Sequence, residues 1–276
     1  MPEGDTIHTL ARALREDLVG RRLERVELHG RPVPSLAVEV VSVEARGKNL
    51  LLSLASGEVL RVHLGMHGDW HRYPRDAPSW RKAAWRASLS LRTGEATLVC
   101  FDAEELEFLE ADRLSASRRL RDLGPDLISE ETPAGRLVER ARSFQPSTAP
   151  VVDLLLDQRV AAGIGNVYKS ELLFLRRIAP LTPVGDLEDA ELATLYELAA
   201  RLLRANVGGG SRTTTRERGA RGSRRPRLWV YGRAGEPCLR CGEAVVSARL
   251  GRGRRSTYWC RRCQQGAPGA EPVLSG

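Results

Sequence analysis

The chain has 276 residues, 42% hydrophobic and 28% charged, and no run of 18 or more apolar residues, which excludes a single small module and a membrane-spanning protein. Its start, MPEGDTIH, lacks the basic and apolar stretches of a secretory signal, and five cysteines do not suggest a disulfide framework, so a soluble protein of the reducing cytoplasm is expected. The net charge of +8 is unevenly placed: from Gly208 onward fifteen arginines face four acids, while the rest is close to neutral, a pattern suited to a polyanionic partner.

In chain order, Asp5 is the expected N-cap of a first helix whose apolar face carries Ile7, Leu10, Leu14 and Leu18, with Gly20 just past its end. Strand patterns follow at Val38 to Val43, Asn49 to Leu54 and Glu58 to Leu64, the last two turning at Ser56-Gly57, and a further hairpin from Ala87 to Phe101 turns at Thr93-Gly94. This predicts one helix followed by an antiparallel two-sheet β-sandwich. Helical periodicity then runs over Pro133 to Ser143, Val151 to Ala161, Val167 to Arg177 and Leu187 to Ala205. The stretch from Gly208 to Arg227 has almost no apolar residue and reads as a mobile loop. The fold class is therefore α+β.

Three local signals carry chemistry. Cys238-x-x-Cys241 and Cys260-x-x-Cys263, eighteen residues apart, have the spacing of a closed four-cysteine zinc site. Cys100 reads as a buried apolar side chain. Between the knuckles lie Arg249, Arg252, Arg254, Arg255, Tyr258 and Trp259, a basic hairpin able to carry a cation onto a phosphate. The second signal is Gly163-Ile164-Gly165-Asn166 between two helical stretches, where glycines permit close backbone approach, a helix N-terminus offers N–H groups, and Asn166 offers an amide; an ordinary capped helical corner has the same pattern. The third is Pro2-Glu3 itself. Removal of the initiator methionine exposes the Pro2 secondary amine, which attacks aldehydes or C1′ of a damaged nucleoside, while a carboxyl such as Glu3 moves protons; Pro-Glu is also a common helix lead-in. Only Lys48, Lys82 and Lys169 are lysines among 43 basic residues, which draws attention to each.

Together PEGD, RGKNLLL at 46–52, HLGMHG at 63–68, the run from Asp157 to Glu171, YGRAGEPC at 231–238 and RSTYWCRRCQ at 255–264 resemble the formamidopyrimidine-DNA glycosylase and endonuclease VIII family across nearly the whole chain. The resemblance implies a catalytic β-sandwich domain (1–124), a helical helix-two-turn-helix domain (125–228) and a C-terminal zinc-finger β-hairpin (229–266). It also implies a monomer that binds double-stranded damaged DNA between its halves and holds one structural Zn²⁺ on Cys238, Cys241, Cys260 and Cys263. Carried over by residue, Pro2 resembles the Schiff-base nucleophile, Glu3 the acid/base and Lys48 the lysine near the lesion phosphate. Asn166 and Arg255 resemble the paired phosphate holders, Arg255 thereby counting with the catalytic set, and Gly165 and Lys169 join them in the DNA-binding set. Met66 resembles the residue that fills the gap left by an extruded nucleotide, although a Met after a strand is also ordinary core packing. His67 and His71 read as surface or loop residues.

Two departures bear on specificity. Thr6 stands where the family has a second glutamate, and Phe101 to Phe108, FDAEELEF, lacks the wedge motif of the oxidised-purine branch. The expected activity is thus that of an endonuclease VIII-like bifunctional DNA glycosylase/AP lyase of base excision repair with a preference for oxidised pyrimidines. Two other classes share parts of the pattern: a non-catalytic DNA-damage-binding or regulatory protein, and an unrelated zinc-ribbon module fused to a β-domain.

Overall fold

The computed structural model describes residues 2–34, 38–111, 114, 117–208, 210–215 and 226–265. Of the expected loop from Gly208 to Arg227, residues 209 and 216–225 lie outside the described residues. The chain forms two compact units, Met1–Leu123 with Val207–Gly209, and Gly124–Asn206 with Gly210–Gly276.

The first unit begins with α1 (Gly4–Leu18). Glu3, not Asp5, occupies its N-cap: the backbone there is extended (φ −126°), and the Glu3 carbonyl accepts the N–H groups of Thr6 and Ile7 at 3.0 and 3.1 Å. Asp5 falls inside the first turn and is buried, where its negative charge suits the positive helix end. The strands are β1 (Arg25–Leu28), β2 (Arg31–Pro32), β3 (Val40–Arg46), β4 (Asn49–Leu54), β5 (Glu58–His63), β6 (Asp69–Pro74), β7 (Ala87–Arg92), β8 (Ala96–Phe101) and β9 (Glu105–Glu110). They form two antiparallel sheets, in the orders β2-β1-β7-β8-β6 and β3-β4-β5-β9, which are the expected sandwich. His71 therefore lies on a strand, β6, rather than in a loop.

One face of β4 and β5 supplies Leu50, Leu52, Leu60 and Val62 to the core, which also takes Leu89, Leu91 and Leu98 from the other sheet and Ile7, Leu14 and Leu18 from α1. Side chains alternate between the faces of a strand, so Leu51 and Val59 point the other way, where they meet Leu120 of the short helix α2 (Arg118–Arg121). Both faces of this hairpin are covered, which is why its sequence is nearly continuous in apolar residues.

The second unit contains α3 (Ala134–Phe144), α4 (Val151–Leu156), α5 (Asn166–Arg176) and α6 (Asp189–Ala205), followed by the hairpin β10 (Val245–Leu250) and β11 (Arg255–Cys260). Helix α4 stops at Leu156, five residues short of the expected Ala161. The Asp157 carboxylate accepts the Arg159 N–H at 3.0 Å, an Asx turn that competes with helix continuation. Gln158 then fixes the two turns before α5: its amide donates to the carbonyls of Leu156 and Ile164, both at 3.0 Å, and its oxygen accepts the Gly163 N–H at 3.1 Å. Helix α6 opens with a capping box between Glu188 and Glu191. No helix among the described residues is long and apolar enough to cross a membrane.

Candidate functional site

In the first unit, the candidate residues lie at strand ends and at the start of α1. Pro2 is partly buried and directly precedes Glu3, whose side chain is fully buried at the N-cap. Thr6, where a second glutamate was expected, is exposed. Lys48 sits on the β3–β4 turn, where Arg46 pairs with Asn49 and leaves Gly47-Lys48 as a two-residue loop. Gly47 has φ +59°, so the loop has its left-handed residue in first place, a position that favours glycine. On β5, burial holds the His63 imidazole below its ordinary pKa; the Glu104 charge opposes this, and the Lys48 and Arg61 charges add to the lowering.

Met66 is 51% exposed, which removes the core-packing reading. It stands on the β5–β6 loop between Gly65, with φ +62° and Glu104 against it, and Gly68, where a Cβ would lie 2.4 Å from the Leu64 carbonyl oxygen. A larger residue at either position would displace the tip. His67 is exposed beside Met66. Lys82 belongs elsewhere: its ammonium is held by Asp69 at 2.8 Å and Asp102 at 3.0 Å. Hydrogen bonds from Arg86 and Lys82 hold the Asp102 carboxyl down at about 2, so this is an ion-pair cluster between strand ends.

In the second unit, α5 brings several candidates together. Gly165 is the N-cap and Asn166 the first helical residue, not the cap, and both are buried. Lys169, one turn later, is 0% exposed, with Nζ 3.3 Å from Asn166 Oδ1 and 3.1 Å from the carbonyl of Ser256. Lys169, expected among the DNA-binding residues, has its ammonium turned inward. It ties Asn166 to the residue after Arg255, and Arg255 itself is exposed at the start of β11. The hairpin tip is fixed by the Asp153 carboxylate of α4, which accepts the Arg252 N–H at 2.9 and 3.0 Å.

Glu171 carries no expected role from the sequence motifs, yet it organises this unit. It is fully buried on α5 and accepts the N–H groups of Trp229, Val230 and Tyr231 at 2.8 to 2.9 Å, together with the Thr214 hydroxyl. Burial pushes its carboxyl above the ordinary range, against these four donors. A lone acid inside the apolar run YKSELLFL was the available signal, since a buried carboxylate must be met by donors.

The hairpin base carries the four cysteines. Cys238, Cys241, Cys260 and Cys263 place their sulfurs within 4.8 Å of one another, and none forms a disulfide. The Cys238–Cys263 and Cys241–Cys260 separations are 3.9 and 3.4 Å, against about 3.8 Å for two thiolates on a tetrahedral zinc with bonds near 2.3 Å. The donor set therefore fits such an ion. Knuckle geometry supports it: the Arg240 N–H points at Cys238 Sγ at 3.4 Å, and Gln264 accepts the Cys260 N–H at 3.0 Å while donating to the Ile178 carbonyl at 2.9 Å. Phe174, Val230 and Val245 close an apolar shell around the sulfurs. Cys100 stands apart, buried on β8, where burial pushes its thiol far up.

A β-sandwich with a leading helix, a two-turn link between buried helices and a four-cysteine hairpin define a class of DNA-repair glycosylase folds. Residues 1–110 match the formamidopyrimidine-DNA glycosylase N-terminal domain, 123–217 its H2TH domain and 235–266 the zinc finger found in FPG and IleRS. The "Probable endonuclease 8 2" of Streptomyces coelicolor is 39% identical over 96% of this chain and 95% of its own length. The "DNA-(apurinic or apyrimidinic site) lyase Nei2" of Mycolicibacterium smegmatis is 37% identical over 96% and 99%. The Lactococcus lactis FPG mutant G226P, solved with a Fapy-dG containing DNA, superposes with a TM-score of 0.79 at 25% identity, covering 96% of this chain and all of that one. The chain belongs to the formamidopyrimidine-DNA glycosylase/endonuclease VIII family of DNA glycosylases and AP lyases.

Proposed function

We propose that this chain excises oxidised pyrimidines from double-stranded DNA and cleaves the strand at the resulting abasic site through a Schiff base on Pro2. The observation that carries the reading is the start of α1, where Pro2 directly precedes a fully buried Glu3 on a backbone fixed by two helix-initiating hydrogen bonds. With Met1 removed, the Pro2 nitrogen lone pair attacks C1′, the N-glycosidic bond breaks toward the base, and a proton delivered through Glu3 completes its departure. The amine then gives up its proton, its lone pair expels O4′ from C1′, and O4′ takes up a proton, so the sugar ring opens to an iminium. This makes the C2′ proton acidic, and its loss expels the 3′ phosphate by β-elimination. Lys48, on its glycine-set turn, supplies a cation for the lesion phosphate; Asn166 and Arg255 hold the flanking backbone, and exposed Met66 fills the space of the extruded nucleotide. Gly165 keeps the backbone before α5 open to close approach, and Lys169 orients the Asn166 amide by occupying its oxygen. The pyrimidine preference is supported by the PEG start and by residues 105–110, which form strand β9 rather than a wedge loop. A panel of duplexes carrying saturated or hydroxylated pyrimidines and 8-oxoguanine tests it. Faster single-turnover excision of the pyrimidine lesions is expected, and preference for 8-oxoguanine opposite cytosine overturns it.

Two predictions concern the second unit. Arg255→Ala should weaken lesion-DNA binding and lower the slope of log affinity against log salt by about one, since one phosphate contact is lost, with metal content unchanged. An unaltered slope and affinity removes Arg255 from the site. The four thiolates would hold one structural Zn²⁺, which orders the hairpin base and takes no part in the reaction. Cys260→Ser should release it and expose the hairpin amides to exchange, because structural zinc contributes on the order of 10 kcal/mol to such elements. Retention of stoichiometric zinc contradicts this ligand set.

A further inference from the structure

On the outer face of the four-stranded sheet, the face that does not enter the sandwich core, a polar island lies under the turn that carries Lys48. Register explains its composition. Asn49, His63 and Glu105 form one cross-strand row of β4, β5 and β9, and Leu51, Arg61 and Glu107 form the next. Arg61 is therefore opposite Glu107 and diagonal to both Asn49 and Glu105, within reach of a long side chain. It is 2% exposed, and its guanidinium is used on three sides: Nε donates to Glu107 at 3.0 Å, Nη2 to Glu105 at 2.6 Å, and Nη1 to Asn49 Oδ1 at 2.7 Å. Arg119 of α2 adds a second cation on Glu105. The Asn49 oxygen being taken, its amide nitrogen is turned toward the chain entering the turn and donates to the Arg46 carbonyl at 3.2 Å.

We infer that Arg61 is a positioning residue for the abasic-site chemistry: through Asn49 it clamps the Arg46–Asn49 turn and so fixes the place from which Lys48 reaches its phosphate. The inference rests on the role given to Lys48 above. A two-residue hairpin loop needs no such support to close, and a buried arginine is a costly way to fill a strand position that Leu or Val would fill in a sheet as apolar as this one. What the arginine adds is direction. Its planar fork meets two carboxylates and one amide oxygen at fixed angles, which a lysine ammonium cannot reproduce. The carboxylates in turn fix the fork, so the order runs from β9 through Arg61 to Asn49 and the turn. Arg61 touches no reacting atom and reaches the turn through Asn49.

Asn49→Ala breaks the link and leaves the Arg61–Glu pairs in place; Arg61→Lys keeps the charge and removes the fork. In both, amides of the Arg46–Asn49 turn should exchange faster than in the parent, with the rest of β4 and β5 unchanged. At saturating abasic DNA, single-turnover strand cleavage should slow roughly 10- to 100-fold, the range for a catalytic group displaced by about 1 Å, with Kd altered less than about twofold. Combining Asn49→Ala with Lys48→Ala, followed over hours by borohydride trapping, completes a double-mutant cycle in which the second change should cost nothing further. Unchanged exchange at the turn overturns the clamp. Faster exchange with the same slowing in the Lys48→Ala background overturns the coupling to Lys48. If Lys48→Ala alone cleaves at the parent rate, the role of Lys48 fails, and the exchange data still decide whether Arg61 orders the turn. Should Asn49→Ala lower the melting temperature enough to blur the comparison, Asn49→Ser and Arg61→Lys supply the same readouts.

Discussion

Glu3→Gln is expected to reduce excision of a damaged base by roughly 100- to 10,000-fold while leaving cleavage of a preformed abasic site measurable. The two reactions make different demands on the start of α1. In the proposed mechanism, excision needs the Pro2 amine at C1′ and a proton for the departing base at the same moment. An abasic site presents an aldehyde, so the amine condenses with it and no base needs protonation. Gln has nearly the shape of Glu and occupies the same buried position, while the Glu3 backbone is held by the Thr6 and Ile7 amides whatever the side chain, so the helix start should survive. Borohydride trapping on abasic DNA should persist, and the melting temperature should stay within a few degrees of the parent. Equal losses on both substrates would place Glu3 in the condensation step or in the architecture of α1 instead.

The legible parts of the fold are those where local pattern and tertiary environment agree. Asn49 to Leu54 and Ala87 to Phe101 declared themselves because strand propensity, turn residues and burial point the same way. The strands outside the expected set, β1, β2, β6 and β9, carry many polar residues: Asp69-Trp-His-Arg-Tyr-Pro packs an edge, and Glu105 and Glu107 hold Arg61. Helix α4 was read too long because the period persists through Val160 and Ala161, which are buried in the turns rather than on a helix. Nothing in periodicity distinguishes the two; the Asp157 side chain does.

For the candidate site, spacing alone was sufficient for the cysteines, since four sulfurs on two short knuckles have few ways to be arranged. Lysine rarity was a mixed guide. It drew attention to Lys48 on its turn, but Lys82 serves an ion-pair cluster and Lys169 lies wholly inside. Arg61 and Glu171 were invisible because each looks like an ordinary charged residue until the register or the packing shows that it is buried and fully engaged. The general lesson is that a charge within an apolar run is a reason to look for the donors or acceptors that justify it.

The second large effect follows from the nucleophile. If Pro2 is the attacking amine, converting it to an amide removes the nitrogen lone pair from reaction, and no other part of the site can replace it. A protein bearing an uncleaved N-terminal extension before Pro2 should lose base excision and abasic-site cleavage together, by more than the Glu3 variant loses either. Pro2→Gly, by contrast, keeps a primary amine and should retain some trapping. The extension is remote from Lys48, Asn166, Arg255 and the cysteines in sequence, so zinc content and salt-dependent DNA binding report whether the rest of the protein is intact. The decisive measurement is borohydride trapping on abasic DNA with mass-verified processed and N-terminally blocked protein, followed by peptide mapping of the adduct. The account predicts an adduct on Pro2 in the processed protein and none in the blocked one; a covalent complex formed by the blocked protein at the parent rate, with the adduct on Lys48 or another lysine, would contradict it.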